Sequence, residues 1–140
     1  MLEEKLRRAL TATKVVIHPA DFVVFGLPLR TDDLLSQIKL LPPYFVLRDR
    51  YEITLVVTAK VWARISNKFR KARLSRPWKL ITMKSPTELE LVGYFATLTR
   101  ALASHGIAVN AFSAYSRDHL LVKKADMTKA KAVLVEMSKV

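Results

Sequence analysis

Cysteine is absent from the 140 residues, and glycine, at 3 positions, is scarce. The missing cysteines exclude a disulfide framework, thiolate zinc sites, iron–sulfur clusters and cysteine nucleophiles together. Low glycine beside abundant Ile, Leu and Val matches the habits of thermophile proteins. Long apolar runs are missing too. The longest stretch without a formal charge, residues 101–116, has 16 residues and includes His105, Gly106 and Asn110, too short and too polar for a membrane span. Glu3 and Glu4 precede any apolar block, so the amino terminus does not read as a secretory signal, and a cytoplasmic location is expected. Acidic residues are the other scarce class: 12 stand against 24 Lys and Arg, for a net charge of +12.

What is present describes a folded chain. Apolar residues make up 51% and charged residues 26%, which excludes intrinsic disorder, and the length suits one ordinary domain or two very small ones sharing a core. The cationic surplus favours anionic partners: nucleic acid, phosphorylated ligands, carboxylates or acidic proteins. It is also concentrated. No acidic residue falls between Glu52 and Glu88, whereas Lys60, Arg64, Lys68, Arg70, Lys71, Arg73, Arg76, Lys79 and Lys84 all do.

Period and punctuation divide the chain. Residues 2–12 read as a helix with Leu2, Leu6 and Leu10 on one face, followed by a short β-branched run at 13–18 that Pro19 ends. DFVVFGLP, 21–28, is a buried strand. Thr31, before Asp32 and Asp33, starts a helix through Leu34, Leu35, Ile38 and Leu41 that stops at Pro42 and Pro43. Residues 44–58 form a hairpin around Arg48, Asp49 and Arg50, and a helix follows from Ala59. WKLITMK, 78–84, is a strand; Ser85, Pro86, Thr87 and Glu88 make a capping box that opens a helix running to His105 and ending at Gly106. Residues 107–116 and 118–122 are strands, and Asp126 caps a last helix.

The order strand-helix-strand-strand-helix thus occurs twice, over roughly 21–72 and 77–139, and each copy lacks its last strand. The 13–18 run, a strand of the sister repeat or one from another subunit completes each sheet. The expected result is an α+β protein of two ferredoxin-like βαββαβ modules in tandem, antiparallel sheets with helices on one face, with strand exchange. Its domains are residues 1–19, an amino-terminal helix and short strand; 20–75, the first module; and 76–140, the second. Two sheets short of a strand imply a homodimer, because an unpaired edge is an aggregation hazard.

TELELVG (Thr87 to Gly93) and HGIAVNAFSAYSRDHLLV (His105 to Val122) resemble the second module of tandem ACT-domain proteins. That family reads S-S-L-E-A-V-G, then G-I-x-x-N-x-x-[SA]-[GA]-Y-x-x-D-H-x-x-V-P. Leu89, Glu90, Val92, Gly93, Ile107, Asn110, Ser113, Tyr115, Asp118, His119 and Val122 fall in register with it. PADFVVFGLP and YFVLRDRYEITLVV are more loosely similar to the first module. The chain departs from the pattern at Lys123 (proline in the family), Arg117 (often histidine) and Ile53 (the hairpin glycine). The resemblance implies a regulatory module that binds a small ligand, an amino acid foremost, between paired domains, and no catalysis.

The chemistry of single residues fits a binder. Asp118 and His119 are strand neighbours whose side chains point to opposite faces, so they cannot form one acid–base dyad. One of them caps the turn before the strand, or Asp118 accepts the ammonium of a bound amino acid. Ser85, Thr87 and Glu88 cap a helix whose free amides also suit a carboxylate, and Asn110, carried over from the family's motif, supplies an amide. Gly93, read inside a helix, points to close helix packing. His18, His105 and His119 are scattered without ligand spacing, so no metal is expected, and no motif asks for a cofactor.

Nucleic-acid binding is the alternative. Lys60, Arg64, Lys68, Arg70, Lys71, Arg73 and Arg76 interleave with Trp62, Phe69 and Trp78, as in surfaces that stack bases and track phosphates. Against it, Trp62, Ile65 and Phe69 lie at helical spacing and fit a core, which leaves the charges as a solvated face and a basic linker between repeats.

Overall fold

The computed structural model describes residues 2–85 and 91–139; Pro86, Thr87, Glu88, Leu89 and Glu90 lie outside the described residues. The elements are α1 (Leu2–Ala12), β1 (Lys14–Ile17), β2 (Phe22–Leu27), α2 (Asp32–Ser36), β3 (Phe45–Arg48), β4 (Ile53–Thr58), α3 (Ala59–Ile65), β5 (Arg73–Lys84), α4 (Tyr94–Ser104), β6 (Val109–Ser113), β7 (Asp118–Lys123) and α5 (Met127–Met137). They fall into two compact units, Ala20–Trp78 and Met1–Pro19 with Lys79–Val140.

In the unit of residues 20–78 the strand order is β3-β4-β2-β5, and the pairings β3–β4, β4–β2 and β2–β5 are antiparallel. Alternation sends Val23, Phe25 and Leu27 of β2 and Ile53, Leu55 and Val57 of β4 to one face, where Val61, Trp62, Ile65 and Phe69 cover them. Thr58 caps α3, its hydroxyl accepting from the Val61 amide at 3.3 Å. The β3–β4 turn is held by Asp49, whose Oδ1 accepts from the Tyr51 and Glu52 amides at 2.7 and 2.8 Å. Those two bonds hold its carboxyl below the usual carboxylate range.

In the other unit the order is β1-β5-β7-β6. Ile81 and Met83 of β5 and Leu120 and Val122 of β7 meet Leu98 and Leu102 of α4, Ala130 and Leu134 of α5 and Ala9 and Leu10 of α1. Both units therefore place their first strand centrally, between the third and the fourth, which is the ferredoxin-like order. The fourth strand comes from two of the sources that the sequence left open, a strand of the sister repeat for one unit and the 13–18 run for the other. Residues 73–78 of β5 pair with β2, and residues 81–84 of the same strand pair with β1. The stretch expected as a basic linker is thus a strand, and residues 1–19 belong with residues 79–140 rather than standing alone. Both sheets are closed within one chain, which removes the missing strand as an argument for a homodimer.

Other expectations change locally. α2 ends at Ser36, short of Leu41, and Thr31 caps nothing with its side chain; its hydroxyl instead donates to the Pro28 carbonyl at 2.7 Å. Leu34, Leu35, Ile38 and Leu40 still pack against the core, so irregular backbone meets the burial that a longer helix was expected to serve. Asp126 ends a short 3-10 turn and makes no side-chain cap to α5. Gly106 follows α4 at φ 71, as expected of a helix-ending glycine, and the Gly106 and Ile107 amides return to the Ala103 and Leu102 carbonyls.

Gly93 lies before α4, not inside it, at φ 88. A Cβ there meets Leu6 Cδ2 at an ordinary 3.5 Å, so the backbone rather than close helix packing requires glycine. Gly93→Ala accordingly destabilises the protein by about 1–2 kcal/mol, the cost of a left-handed L-residue. A glycine inside a helix would give the opposite sign, a gain of about 1 kcal/mol. Urea unfolding midpoints of the two proteins decide between them.

Candidate functional site

One end of the unit containing residues 79–140 gathers polar side chains from several elements. Thr13, between α1 and β1, is buried; its hydroxyl donates to the Ala9 carbonyl at 2.7 Å and lies 2.6 Å from the Tyr94 hydroxyl. With the Thr13 proton engaged, Tyr94 is the donor between them. Ser85, where β5 ends, also donates to Ala9, at 3.0 Å. Burial pushes the Tyr94 phenol up; the Thr13 and Ser85 hydroxyls oppose this, and the Asp118 charge adds to it. Asp118 opens β7 and accepts from the Ser113 hydroxyl at 3.0 Å. Ser85 and Tyr94 thus share one cluster of hydroxyls, and the contact between Thr82 and His119 sets the start of β7, with Asp118, at the same end of the sheet; Tyr94 is a residue that the sequence reading left unmarked.

The register of the β6–β7 hairpin decides the rest. Asn110 is paired with Leu121, and Asp118 with Ser113. Leu120, Val122 and Val109 face the helices, so Asp118 and Ser113 share that face while Asn110 and His119 lie on the other. The pleat keeps Asn110 away from Asp118, and the two do not form opposite ends of one ligand site. Thr87 and Glu88 lie outside the described residues. On the far face His119 Nδ1 is 2.9 Å from Thr82 Oγ1.

A cavity of about 410 Å³ opens beside this cluster, lined by Ala12, Lys14, Lys84, Ser85, Ser116 and Arg117. Among the described residues no group of His, Asp and Glu is arranged to hold a metal ion, and no helix is long and apolar enough to cross a membrane.

The basic stretch 60–76 loses its aromatics to the core. Phe25 packs on Trp62 and Phe69 with ring centroids 4.6 and 6.1 Å apart, and Trp78 is buried with Nε1 donating to Ser75 Oγ. Arg64 holds the Lys39 carbonyl and Arg73 the Glu52 carboxylate at 2.7 Å, while Lys60, Lys68, Arg70, Lys71 and Arg76 are exposed. No base-stacking platform is formed there.

Residues 73–136 match the ACT domain family. Similar solved structures include a Vibrio cholerae protein of unknown function, a possible transport protein, at 27% identity, TM-score 0.77 and 99% coverage of both chains. A second, from Agrobacterium tumefaciens, is 17% identical at TM-score 0.68, covering 90% of this chain and 89% of its own. The ligand-free regulatory subunit of aspartate kinase from Thermus thermophilus is 11% identical at TM-score 0.67, covering 89% and 97%. No curated protein sequence matches.

The histidine provides a test of the far face. Burial lowers the His119 pKa below its ordinary 6.5, Asp118 opposes the shift and Arg117 adds to it. The unfolded chain then binds the extra proton first, so the stability contribution is complete above pH 6.5 and is lost as pH falls through the lower folded value. Urea midpoints between pH 7.5 and 5 should fall less steeply in His119→Gln than in the parent chain. Equal slopes would remove His119 from the acid response.

Proposed function

We propose that this chain, whose residues 73–136 match the ACT domain family, is a non-catalytic regulatory module that binds a free amino acid at the end of the sheet that carries Ser85 and Asp118. The observation that carries the reading is the hydroxyl cluster of Thr13, Ser85 and Tyr94 with Asp118 at the same end of the sheet, Ser85, Tyr94 and Asp118 lying inside the segment matched to the family. Asp118 suits an ammonium group, and the Ser85 hydroxyl, with the residues that follow it, suits a carboxylate. Thr87 and Glu88 belong to the proposed site by sequence position, and Asn110 is left out of it. The regulatory part of the reading is supported by aspartate kinase regulatory subunits that share the fold.

A thermal-shift screen of the twenty amino acids tests it. A ligand at 100 times its dissociation constant adds about 2.7 kcal/mol, and Asp118→Asn should abolish the response. A midpoint that no amino acid moves would overturn the reading.

The proposal extends to a second copy of the chain. β3 is an edge strand, with Val46 and Leu47 exposed by 46% and 61%, and such an edge pairs readily unless it is blocked. Light scattering should give about twice the chain mass, and Leu47→Lys should return it to one. A monomer at high micromolar concentration would refute the dimer.

A further inference from the structure

Lys14 and Lys84 are direct cross-strand partners on β1 and β5. Such partners have Cβ atoms about 4.5–5.5 Å apart, and like charges so placed repel. Val15, Ile17, Ile81 and Met83 pack toward the helices, so alternation turns both lysines to the other face of the sheet. Arg117, from the β6–β7 turn, lines the same cavity, and so do the hydroxyl-bearing residues Ser85 and Ser116. None of the three cations makes an ion pair among the described residues.

The other unit provides a comparison within the chain. A cavity of about 340 Å³ lies there at the equivalent place, where the first strand ends, the hairpin turns and the fourth strand begins; Gly26, Pro28, Glu52, Lys71 and Arg73 are among its lining residues. In that cavity Arg73 is paired with Gly26 in register and neutralised by Glu52 at 2.7 Å. The same position in the fold thus carries a carboxylate among its cations in one unit and, among the described residues, three cations without an ion pair in the other.

We propose that Lys14, Lys84 and Arg117, with Ser85 and Ser116, bind the phosphate of a small phosphomonoester. Two opposed ammonium groups and a guanidinium suit one compact dianion, which relieves their repulsion and accepts charge-assisted hydrogen bonds from all three. A cavity of about 410 Å³ leaves room beyond the phosphate for a small organic part. The site shares Ser85 with the proposed amino-acid site but takes its charge from Lys14, Lys84 and Arg117 rather than Asp118, so failure of every amino acid in the thermal-shift screen would leave it standing.

The test is a ¹H–¹⁵N NMR titration with inorganic phosphate, with sodium chloride at matched ionic strength as the control. Saturable shifts of the Lys14, Lys84, Ser85, Ser116 and Arg117 amides are expected with phosphate, and none of comparable size with chloride. Lys84→Gln and Arg117→Gln should each weaken binding tenfold or more. Thermal unfolding separates this from a structural defect. Without phosphate Lys84→Gln, relieved of the repulsion, should melt no lower than the parent; with phosphate only the parent should gain. Shifts that chloride reproduces, or phosphate stabilisation that survives both substitutions, would overturn the site. So would a single-stranded oligonucleotide that shifts residues 60–76 when phosphate shifts nothing.

Discussion

Each sheet needs a fourth strand that its own repeat does not contain, because a central strand left unpaired on one side exposes a row of backbone donors and acceptors. Two segments meet the need. The first half of β5 closes one sheet, and β1, reached by way of α1, closes the other. The Thr13, Tyr94 and Ser85 hydroxyls then follow as local consequences: they bind the end of α1 to the end of β5 and the start of α4, where the returning strand enters. An edge strand that enters from outside the repeat must be held at its first residue, and a buried Thr13 does this with two hydrogen bonds.

Much of this architecture was legible in the chain. β2, β4 and β7 announce themselves by buried apolar residues, and Phe95, Leu98 and Leu102 of α4 lie on its core as the spacing demands, with Leu91 packed against it ahead of the helix. The first half of β5 was hidden for a physical reason. Arg73, Leu74, Arg76 and Pro77 are all exposed in an edge position, so no alternation of apolar with polar marks them, and a basic strand looks like a basic linker. Gly93 was misplaced because a strong upstream capping signal implied a helix already under way. A positive φ is a property of the backbone path, and side-chain periodicity does not report it.

The candidate site was legible by half. Ser85 and Asp118 could be named from motif and strand position, but whether they met Asn110 depended on hairpin register. The odd offset between Asp118 and Leu121, the partner of Asn110, puts the two polar groups on opposite faces. Tyr94 was passed over as one more helix residue, although a buried tyrosine needs a partner for its hydroxyl and so marks where polar groups gather. Lys14 offered no signal at all, and Lys84 only its place at the end of the basic run. Residues so far apart in sequence become neighbours only through the strand pairing that the sequence left open.

The total charge is a poor guide to what the cations do. Exposed charges farther apart than about 8 Å are largely screened at physiological salt, so a surplus of +12 spread over two units says little about any one partner. Convergence matters more. Arg48 is bound by Asp32 and Arg73 by Glu52, and each such pair cancels its own field close to the surface. The unit of residues 20–78 thus neutralises its strand-end arginine from within its own hairpin. The other unit has an arginine, not a carboxylate, at its hairpin, which gathers three exposed cations around one concave place. A duplicated strand order puts corresponding elements at the two ends, and the side chains there differ. An acidic residue at the hairpin gives a closed ion pair, and a basic one gives a surface whose cations have no ion pair among the described residues.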